Sequence, residues 1–174
     1  MGRVQLLTDV TYTALEYVCM NMRAADAREV YALRPHDNPL QLAAESFAAI
    51  RGQGRGRIGW WRGRPAAVAA FTEAWPGTWE IWMFGTDEFR NCAIDLIRWF
   101  RKEANDILKV CDGRRLQCDS AAYHEEAHRL IRAAGGVEEA RFRKYGKHGD
   151  DFIRFVWLNG ENDAVLRPGF VRVA

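Results

Sequence analysis

Apolar residues recur with a helical period in several stretches of the chain and alternate with polar residues in a central one. Near the start, Asp9 precedes apolar positions that fit one face of a helix and would also suit a strand; we favour a helix. These positions are Tyr12, Leu15, Val18 and Met22. Asp26 opens a second, short helix, and Asn38 with Pro39 supplies the cap and first-turn proline of a third that ends near Ile50.

Three strands follow, at residues 58–61, 66–72 and 79–84, because apolar and polar side chains alternate there and turn residues separate the segments. They predict an antiparallel meander. The stretch before them, residues 51–57, is rich in arginine and glycine and predicts a mobile basic loop.

A long amphipathic helix comes after the meander. We expect Asp87 to cap this helix, and its apolar positions keep the spacing of one helical face until Asp112-Gly113. These positions are Ala93, Leu96, Ile97, Phe100, Ala104, Ile107 and Leu108. The remaining pattern predicts a strand, a helix and a closing hairpin, at residues 116–119, 123–134 and 137–158.

This order of elements indicates an α+β domain (α/β by looser naming) with a mixed, mainly antiparallel sheet flanked by helices. We predict one domain over residues 22–158, an N-terminal extension at 1–21 and a C-terminal arm at 159–174. The end of the arm is apolar without a helical period. It therefore either orders on a neighbouring protein, for example by adding a strand, or folds back on its own domain.

The composition excludes several classes of protein. With 48% hydrophobic and 28% charged residues among 174, the chain is neither disordered nor a disulfide-stapled miniprotein. Its formal net charge of +2 gives no global field for gathering a polyanion, so any basic function is local. We expect no secretion signal and no membrane anchor. The four cysteines form no Cys-x-x-Cys pair, which favours free thiols in a reducing compartment.

A cluster of arginines is a candidate binding surface. Five arginines surround Trp60 and Trp61, namely Arg51, Arg55, Arg57, Arg62 and Arg64. Arginine beside tryptophan can hold phosphate and base, so DNA contact through Arg51, Arg55 and Arg57 is one hypothesis. The alternatives are a basic loop that flanks core tryptophans and an interface with a protein partner, and we favour the protein interface.

Residues 124–128 spell the His-Glu-x-x-His pattern, in which two imidazoles one turn apart bind zinc and the glutamate activates water. Ile131 and Ala134 stand where an extended zinc-protease motif has glycine and histidine. We therefore interpret His124 and His128 as part of a polar first turn and predict no metal ligands.

Three segments resemble known proteins: residues 59–65 and 79–87 in the meander, and residues 130–136 where the last helix ends. Together with the order of elements, they resemble the GNAT fold of N-acetyltransferases over residues 22–158. Within that fold they look most like the small internal virion protein family of podophages. Members of that family are GNAT-like in shape and serve as virion components, so the resemblance implies a structural role.

The resemblance also implies where an active acetyltransferase would hold its cofactor. Such enzymes bind the pyrophosphate of acetyl-CoA with an Arg/Gln-x-x-Gly-x-Gly/Ala loop at the N-terminus of the central helix. The matching stretch here, residues 84–90, shares Gly85 but carries Asp87 and Glu88, whose charges would repel a diphosphate. An Arg-x-x-Gly-x-Gly at residues 51–56 matches in letters but precedes the meander.

Two further positions bear on catalysis. The family places a tyrosine four residues before the glycine that ends the last long helix, where it protonates the departing thiolate. Ile131 occupies that position and cannot donate a proton. Glu80, on the third meander strand, could serve as a general base, although a solvated carboxylate on a strand is the commoner case.

These features predict a non-catalytic structural or internal virion component of a podophage on a GNAT-like fold, with no cofactor and no catalytic residues. Its expected partners are other virion proteins (portal, tail or core) in an assembly of multiple copies. Its expected location is the virion, after synthesis in the host cytoplasm. The alternative is an active acetyl-CoA-dependent N-acetyltransferase, with Glu80 as base and water or a cysteine in place of the missing acid.

Overall fold

One mixed sheet runs through the molecule, with helices on both of its faces. The computed structural model describes residues 7–160. The strands are β1 (Leu7–Thr8), β2 (Gly54–Trp61), β3 (Arg64–Trp75), β4 (Thr78–Gly85), β5 (Arg115–Ala121), β6 (Val137–Phe142) and β7 (Phe152–Leu158). The helices are α1 (Tyr12–Met20), α2 (Ala24–Ala32), α3 (Pro39–Gln53), α4 (Ala93–Lys109) and α5 (Glu125–Ala133), with a 3₁₀ turn at Phe89–Asn91.

The sheet has the strand order β1-β2-β3-β4-β5-β7-β6. Neighbouring strands are antiparallel except for β4 and β5, which are parallel. This confirms the predicted α+β class with a mixed, mainly antiparallel sheet. The predicted meander corresponds to β2, β3 and β4, and the predicted closing hairpin corresponds to β6 and β7.

Two helices begin at residues whose side chains satisfy free backbone N–H groups. The Thr11 hydroxyl accepts a hydrogen bond at the start of α1, and the Asn38 amide oxygen accepts two at the start of α3. The predicted cap at Asn38-Pro39 is therefore confirmed. The first helix forms as favoured, but its cap is Thr11 and not Asp9.

Two apolar layers hold the helices to the sheet, and successive β4 side chains alternate between them. The layer under α4 includes Phe71, Leu96, Phe100, Ile107 and Trp157. The layer under α1 and α3 includes Leu15, Val18, Leu42, Ile58 and Phe84. Residues 7–20, which the sequence assigned to an extension, thus contribute a strand to the sheet and a helix to the core. The predicted arm lies outside the described residues from position 161 onward.

Further local predictions differ from the structure. The helix expected to start at Asp87 begins at Ala93, because the chain first forms the 3₁₀ turn that buries Phe89. The segment at 54–57 is not a loop, because it forms the start of β2 and pairs with β3. A glycine is required at its first position, since a Cβ on Gly54 would lie 2.7 Å from the Ile50 Cα.

The described part of the chain contains no helix that is both long and apolar enough to span a lipid bilayer. All four cysteines are free thiols. Cys19, Cys92 and Cys118 are buried, and Cys111 is exposed. Burial raises the pKa of Cys19 and of Cys92 to about 12, so both are inert apolar side chains in the core.

Candidate functional site

A cleft opens where the two parallel strands at the centre of the sheet diverge. β4 and β5 pair only at their N-terminal ends, through residues 78–80 and 115–117. Beyond these pairs the strands separate, and a cavity of about 770 Å³ lies between them. Its walls come from α2, β4, α4, β5 and α5, so the cavity connects the two faces of the sheet.

Two carboxylates of α2 bind the diverging ends of the two strands. Asp26 accepts a hydrogen bond of 2.8 Å from the backbone N–H of Gly85 at the end of β4. Glu29, one helical turn later, accepts from the backbone N–H of Ala121 at 2.8 Å and from the Ser120 hydroxyl at 2.9 Å, both on β5. The helix therefore fixes the separation of the strands and with it the width of the cleft.

The Asp26 carboxylate is buried and paired with a cation. Arg23 Nε lies 2.8 Å from Asp26 Oδ1, and its Nη1 lies 3.2 Å from Glu126 on α5. The same guanidinium stacks over the Phe89 ring at 4.5 Å. Burial raises the pKa of Asp26, and the ion pair with Arg23 opposes that rise. This cluster links α2, the 3₁₀ turn and α5 at one end of the cleft.

His124 lies in the wall of the cleft, immediately before α5. Its Nδ1 is 3.0 Å from Glu29 Oε2, and its Nε2 has no hydrogen-bond partner among the described residues. The nearest acidic atom to Nε2 is Asp26 Oδ1, 3.6 Å away, which is an electrostatic contact and not a hydrogen bond. The hydrogen bond with Glu29 raises the pKa of His124, and burial opposes it.

Glu80 lies at the last position where β4 still pairs with β5. It points to the sheet face opposite α4, because Trp79 and Ile81 on either side of it pack in the layer under α4. Gln117 donates a hydrogen bond to its carboxylate. Burial raises the pKa of Glu80. Because a raised pKa makes a carboxylate a stronger proton acceptor, Glu80 is suited to act as a base in the cleft.

The other carboxylate near Glu80 is neutralised by an arginine. Arg154 makes a bidentate pair with Asp119, at 2.8 and 2.7 Å. The charge of Asp119 adds to the rise in the pKa of Glu80, and Arg154 reduces it. Glu80 is thus left free to receive a proton or a cationic group.

The N-terminus of α4 opens on the opposite wall. Ala93, Ile94 and Arg90 line the cavity there, and no side chain caps the helix. Asp95 in the first turn is paired with Arg98 at 3.3 Å. Free backbone N–H groups, the positive end of the helix dipole and a guanidinium together favour an anion at this place.

Asp87 and Glu88 do not line this cleft. They border a separate cavity of about 590 Å³, together with Tyr17, Trp61 and Arg64. Their predicted position at the start of the central helix is wrong, because that helix begins six residues after Asp87. Asp87 and Glu88 thus precede the first turn of α4 instead of opening it, and Glu88 accepts a hydrogen bond from the Asn91 side chain.

The other candidate residues from the sequence lie at different places in the fold. Ile131 lines the cleft as an apolar residue of α5. His128 turns away from His124 into the core, with its ring centroid 5.3 Å from that of Phe155. Across residues 7–160, no group of three His, Cys, Asp or Glu side chains is placed to hold a metal ion.

The arginine cluster extends from the end of α3 along β2 to the β2–β3 turn and the first residue of β3. Arg55 pairs with Glu103 at 3.0 Å, and Arg57 pairs with Asp9 at 2.9 Å. Arg51 is in the last turn of α3. Both strand arginines therefore have acidic partners within the domain. DNA contact through these three side chains stays a prediction.

Known structures share this architecture. The spermidine N-acetyltransferase of Vibrio cholerae, solved with CoA and spermine, superposes with a TM-score of 0.68 at 14% identity over 91% of this chain and 97% of that one. The ribosomal-protein-S5-alanine acetyltransferase of Vibrio fischeri gives 0.64 at 12% identity over 93% and 97%. The chain has the GNAT acetyltransferase fold. No protein-family model and no curated protein matches it by sequence.

A third GNAT structure is the RimL ribosomal L7/L12 alpha-N-protein acetyltransferase in complex with CoA. It has a TM-score of 0.66 at 12% identity, covering 87% of this chain and 92% of that one. Identities this low establish the fold alone. The GNAT part of the sequence resemblance is confirmed, and the podophage virion part gains no support.

The predicted role as a non-catalytic virion component is contradicted, since the structural neighbours are acetyltransferases and favour the alternative. One of its arguments placed Asp87 and Glu88 at the start of the central helix, whereas they precede that helix and border the smaller cavity. The virion partners and virion location followed from the same resemblance and stay predictions.

Sequence reasoning missed the group formed by Asp26, Glu29 and His124. A weak signal was present, because two acids one turn apart on a short helix can contact two neighbouring strands. His124 is 95 residues from Glu29 and was considered only as a metal ligand. Arg90 was missed because the start of the central helix was placed at Asp87.

Proposed function

We propose that the chain is an acetyl-CoA-dependent N-acetyltransferase that transfers an acetyl group to an amine. The observation that carries the proposal is the cleft between β4 and β5, which has an uncapped helix N-terminus on one wall and the carboxylate of Glu80 on the other. The fold neighbours include acetyltransferases of spermidine and of ribosomal proteins, which supports this class of reaction.

The residues of the cleft fit the cofactor. The N-terminus of α4 and Arg90 would hold the pyrophosphate, since both favour an anion. The wall between them and Glu80 is apolar and suits an alkyl-amide arm; it includes Ile97, Phe100, Leu130, Ile131 and Ala134. Acetyl-CoA, when bound, supplies an acyl group activated as a thioester.

Glu80 acts on the acceptor amine. An ammonium group is not nucleophilic, so the amine must lose a proton before it can attack a carbonyl carbon. The Glu80 carboxylate accepts that proton, directly or through one water. Burial raises the pKa of Glu80, which improves its match to a base that operates near neutral pH. Gln117 orients the carboxylate through its hydrogen bond.

Two measurements test the proposal. Acetyl-CoA should raise the melting temperature of the purified chain by mass action, and a panel of amines should release CoA thiol in its presence. Glu80→Gln should lower kcat by about a hundredfold or more while acetyl-CoA still stabilises the fold. Glu138→Gln, an exposed acid on β6 outside the cleft, is the matched control and should change neither result.

The two measurements test the cofactor and the catalytic base separately. If acetyl-CoA does not stabilise the chain at any accessible concentration, the proposed function is wrong. If it does, and Glu80→Gln retains full turnover with the amine that the wild-type chain uses, then the assignment of Glu80 as base is wrong.

A further inference from the structure

One buried nitrogen in the cleft makes no hydrogen bond within the described residues. The His124 side chain is 6% exposed, and its Nε2 makes no hydrogen bond within the described residues. Its Nδ1 is fixed by Glu29 at 3.0 Å, and a flip of the ring would lose that contact because it would put Cδ2 in the place of Nδ1. An unpaired buried polar group costs free energy, and its retention in a cleft indicates an atom that meets a ligand.

The surroundings of His124 favour its protonated form. The facing charges are Arg23 immediately before α2 and Asp26 and Glu29 on α2, and the cleft wall also holds Glu126 on α5 and Asp119 on β5. Glu29 accepts from Nδ1, and Asp26 lies 3.6 Å from Nε2. The hydrogen bond with Glu29 raises the pKa of His124, so the imidazolium persists towards neutral pH.

The other lining side chains are poor proton donors at neutral pH. Burial raises the pKa of the Cys118 thiol far above its ordinary value, and arginines do not release protons in proteins. Ser120 donates its hydroxyl to Glu29. Ile131 carries no proton to give. Among these lining side chains, His124 thus combines an acidic proton with a buried Nε2 that makes no hydrogen bond within the described residues and lies 3.6 Å from Asp26 Oδ1.

We propose that His124 is the catalytic acid of this enzyme and donates its Nε2 proton to the thiolate sulfur that leaves when the acetyl group is transferred. The inference rests on the proposed function. It names a residue that protonates the leaving thiolate, because Ile131 stands at the position of the family's tyrosine and has no proton to donate. Glu29 is the positioning residue, since it acts on the sulfur only through the His124 ring.

The step balances in protons and electrons. The ammonium gives one proton to solvent through Glu80 before it attacks, and the nitrogen gives a second proton to Glu80 as the new C–N bond forms. The C–S bond breaks, and sulfur keeps the electron pair and takes the proton from Nε2. His124 is left neutral with Glu29 still at Nδ1, and solvent restores its proton after the products leave. Glu80 returns its proton to solvent, so one proton is released overall for each ammonium acetylated.

Binding of two ligands tests this without relying on turnover. CoA carries the thiol, and desulfo-CoA lacks the sulfur but is otherwise the same molecule. His124→Gln should weaken CoA about tenfold, because a charged hydrogen-bond donor to sulfur is lost, and should change desulfo-CoA by less than about twofold. His36→Gln is the control, since His36 also pairs with a glutamate, Glu45 at 3.2 Å, outside the cleft.

A second readout uses the wild-type chain and is independent of how the variant folds. In an NMR titration, CoA should shift the His124 imidazole pKa, whereas desulfo-CoA should leave it close to that of the free protein. With the best amine, His124→Gln should also lower kcat more than it raises KM and remove the alkaline limb of the kcat profile.

Each result either supports the proposal or overturns it. Selective loss of CoA binding with a CoA-specific shift of the His124 signal supports it. Equal effects on both ligands, or no effect on either, overturn the role of His124 and leave the proposed function standing. If neither ligand binds the wild-type chain, the proposed function itself fails, and the role of His124 fails with it.

Discussion

A proton on one buried histidine links the cleft to the stability of the fold. Glu29 holds the end of β5 through the Ala121 N–H and also holds the His124 ring. The protonated ring therefore strengthens a contact that the folded chain has and the unfolded chain lacks. Because the folded-state pKa of His124 is raised, this contribution is fully present below the unfolded value near 6.5 and is lost as pH rises through the folded-state value.

This gives a prediction of pH dependence. The wild-type chain should have a larger free energy of unfolding than His124→Gln, and the difference should be greatest near pH 6. It should shrink as pH rises through the raised pKa of His124. Urea unfolding at a series of pH values measures it, and His36→Gln should keep the wild-type decline. Curves for the wild type and His124→Gln that run parallel from about pH 5 to pH 9 would contradict the Glu29–His124 coupling.

At the scale of elements, the decisive feature is where α4 begins. The Phe89 N–H bonds to the Thr86 carbonyl at 2.9 Å, and the Cys92 N–H bonds to the Phe89 carbonyl at 3.1 Å. This 3₁₀ turn buries Phe89 and redirects the chain before the helix starts. Asp87 and Glu88 consequently border the smaller cavity, while Arg90 and the first residues of α4 border the cleft.

The placement of Arg90 at the cleft leads to a prediction about the affinity for CoA. Arg90→Gln should weaken CoA about tenfold by loss of a charge-assisted contact with the pyrophosphate. Binding of pantetheine, which has no pyrophosphate, should stay unchanged. The double variant Asp87→Asn with Glu88→Gln should change CoA binding by less than about twofold, because neither acid lines the cleft. Isothermal titration calorimetry measures all three.

The opposite result would support the sequence-based prediction that Asp87 and Glu88 repel the pyrophosphate. If removal of the two carboxylates strengthens CoA tenfold while Arg90→Gln has no effect, the acids and not the arginine govern that end of the cleft. The comparison is controlled for the two acids, because Asp87→Asn and Glu88→Gln change charge at nearly constant side-chain size.

At the scale of the whole molecule, the sequence predicts what is local and misses what depends on distant contacts. The Asn38-Pro39 cap, the alternation along the meander and the glycine stop after α5 are patterns within a few residues, and the element order follows from them. Asp87 has the right chemistry for a cap, but the 3₁₀ turn that buries Phe89 separates it from the start of α4. The contacts from α2 to β4, β5 and His124 span 59 to 95 residues, so no local pattern reveals them.

The same limit applies to residues 7–20, which the sequence separates from the domain. Leu15 on α1 is fully buried against the sheet, whereas Met20 on the same helix is 56% exposed. Leu15→Ala should therefore lower the free energy of unfolding by about 2–5 kcal/mol, through lost burial and the cavity it leaves. Met20→Ala, the matched control, should stay within about 0.5 kcal/mol. Urea unfolding measures both, and equal small effects would mean that α1 is a separable extension after all. A large effect of Leu15→Ala alone would place the domain boundary before α1, because a helix that is not docked on the sheet cannot transmit the loss of a buried leucine to global stability.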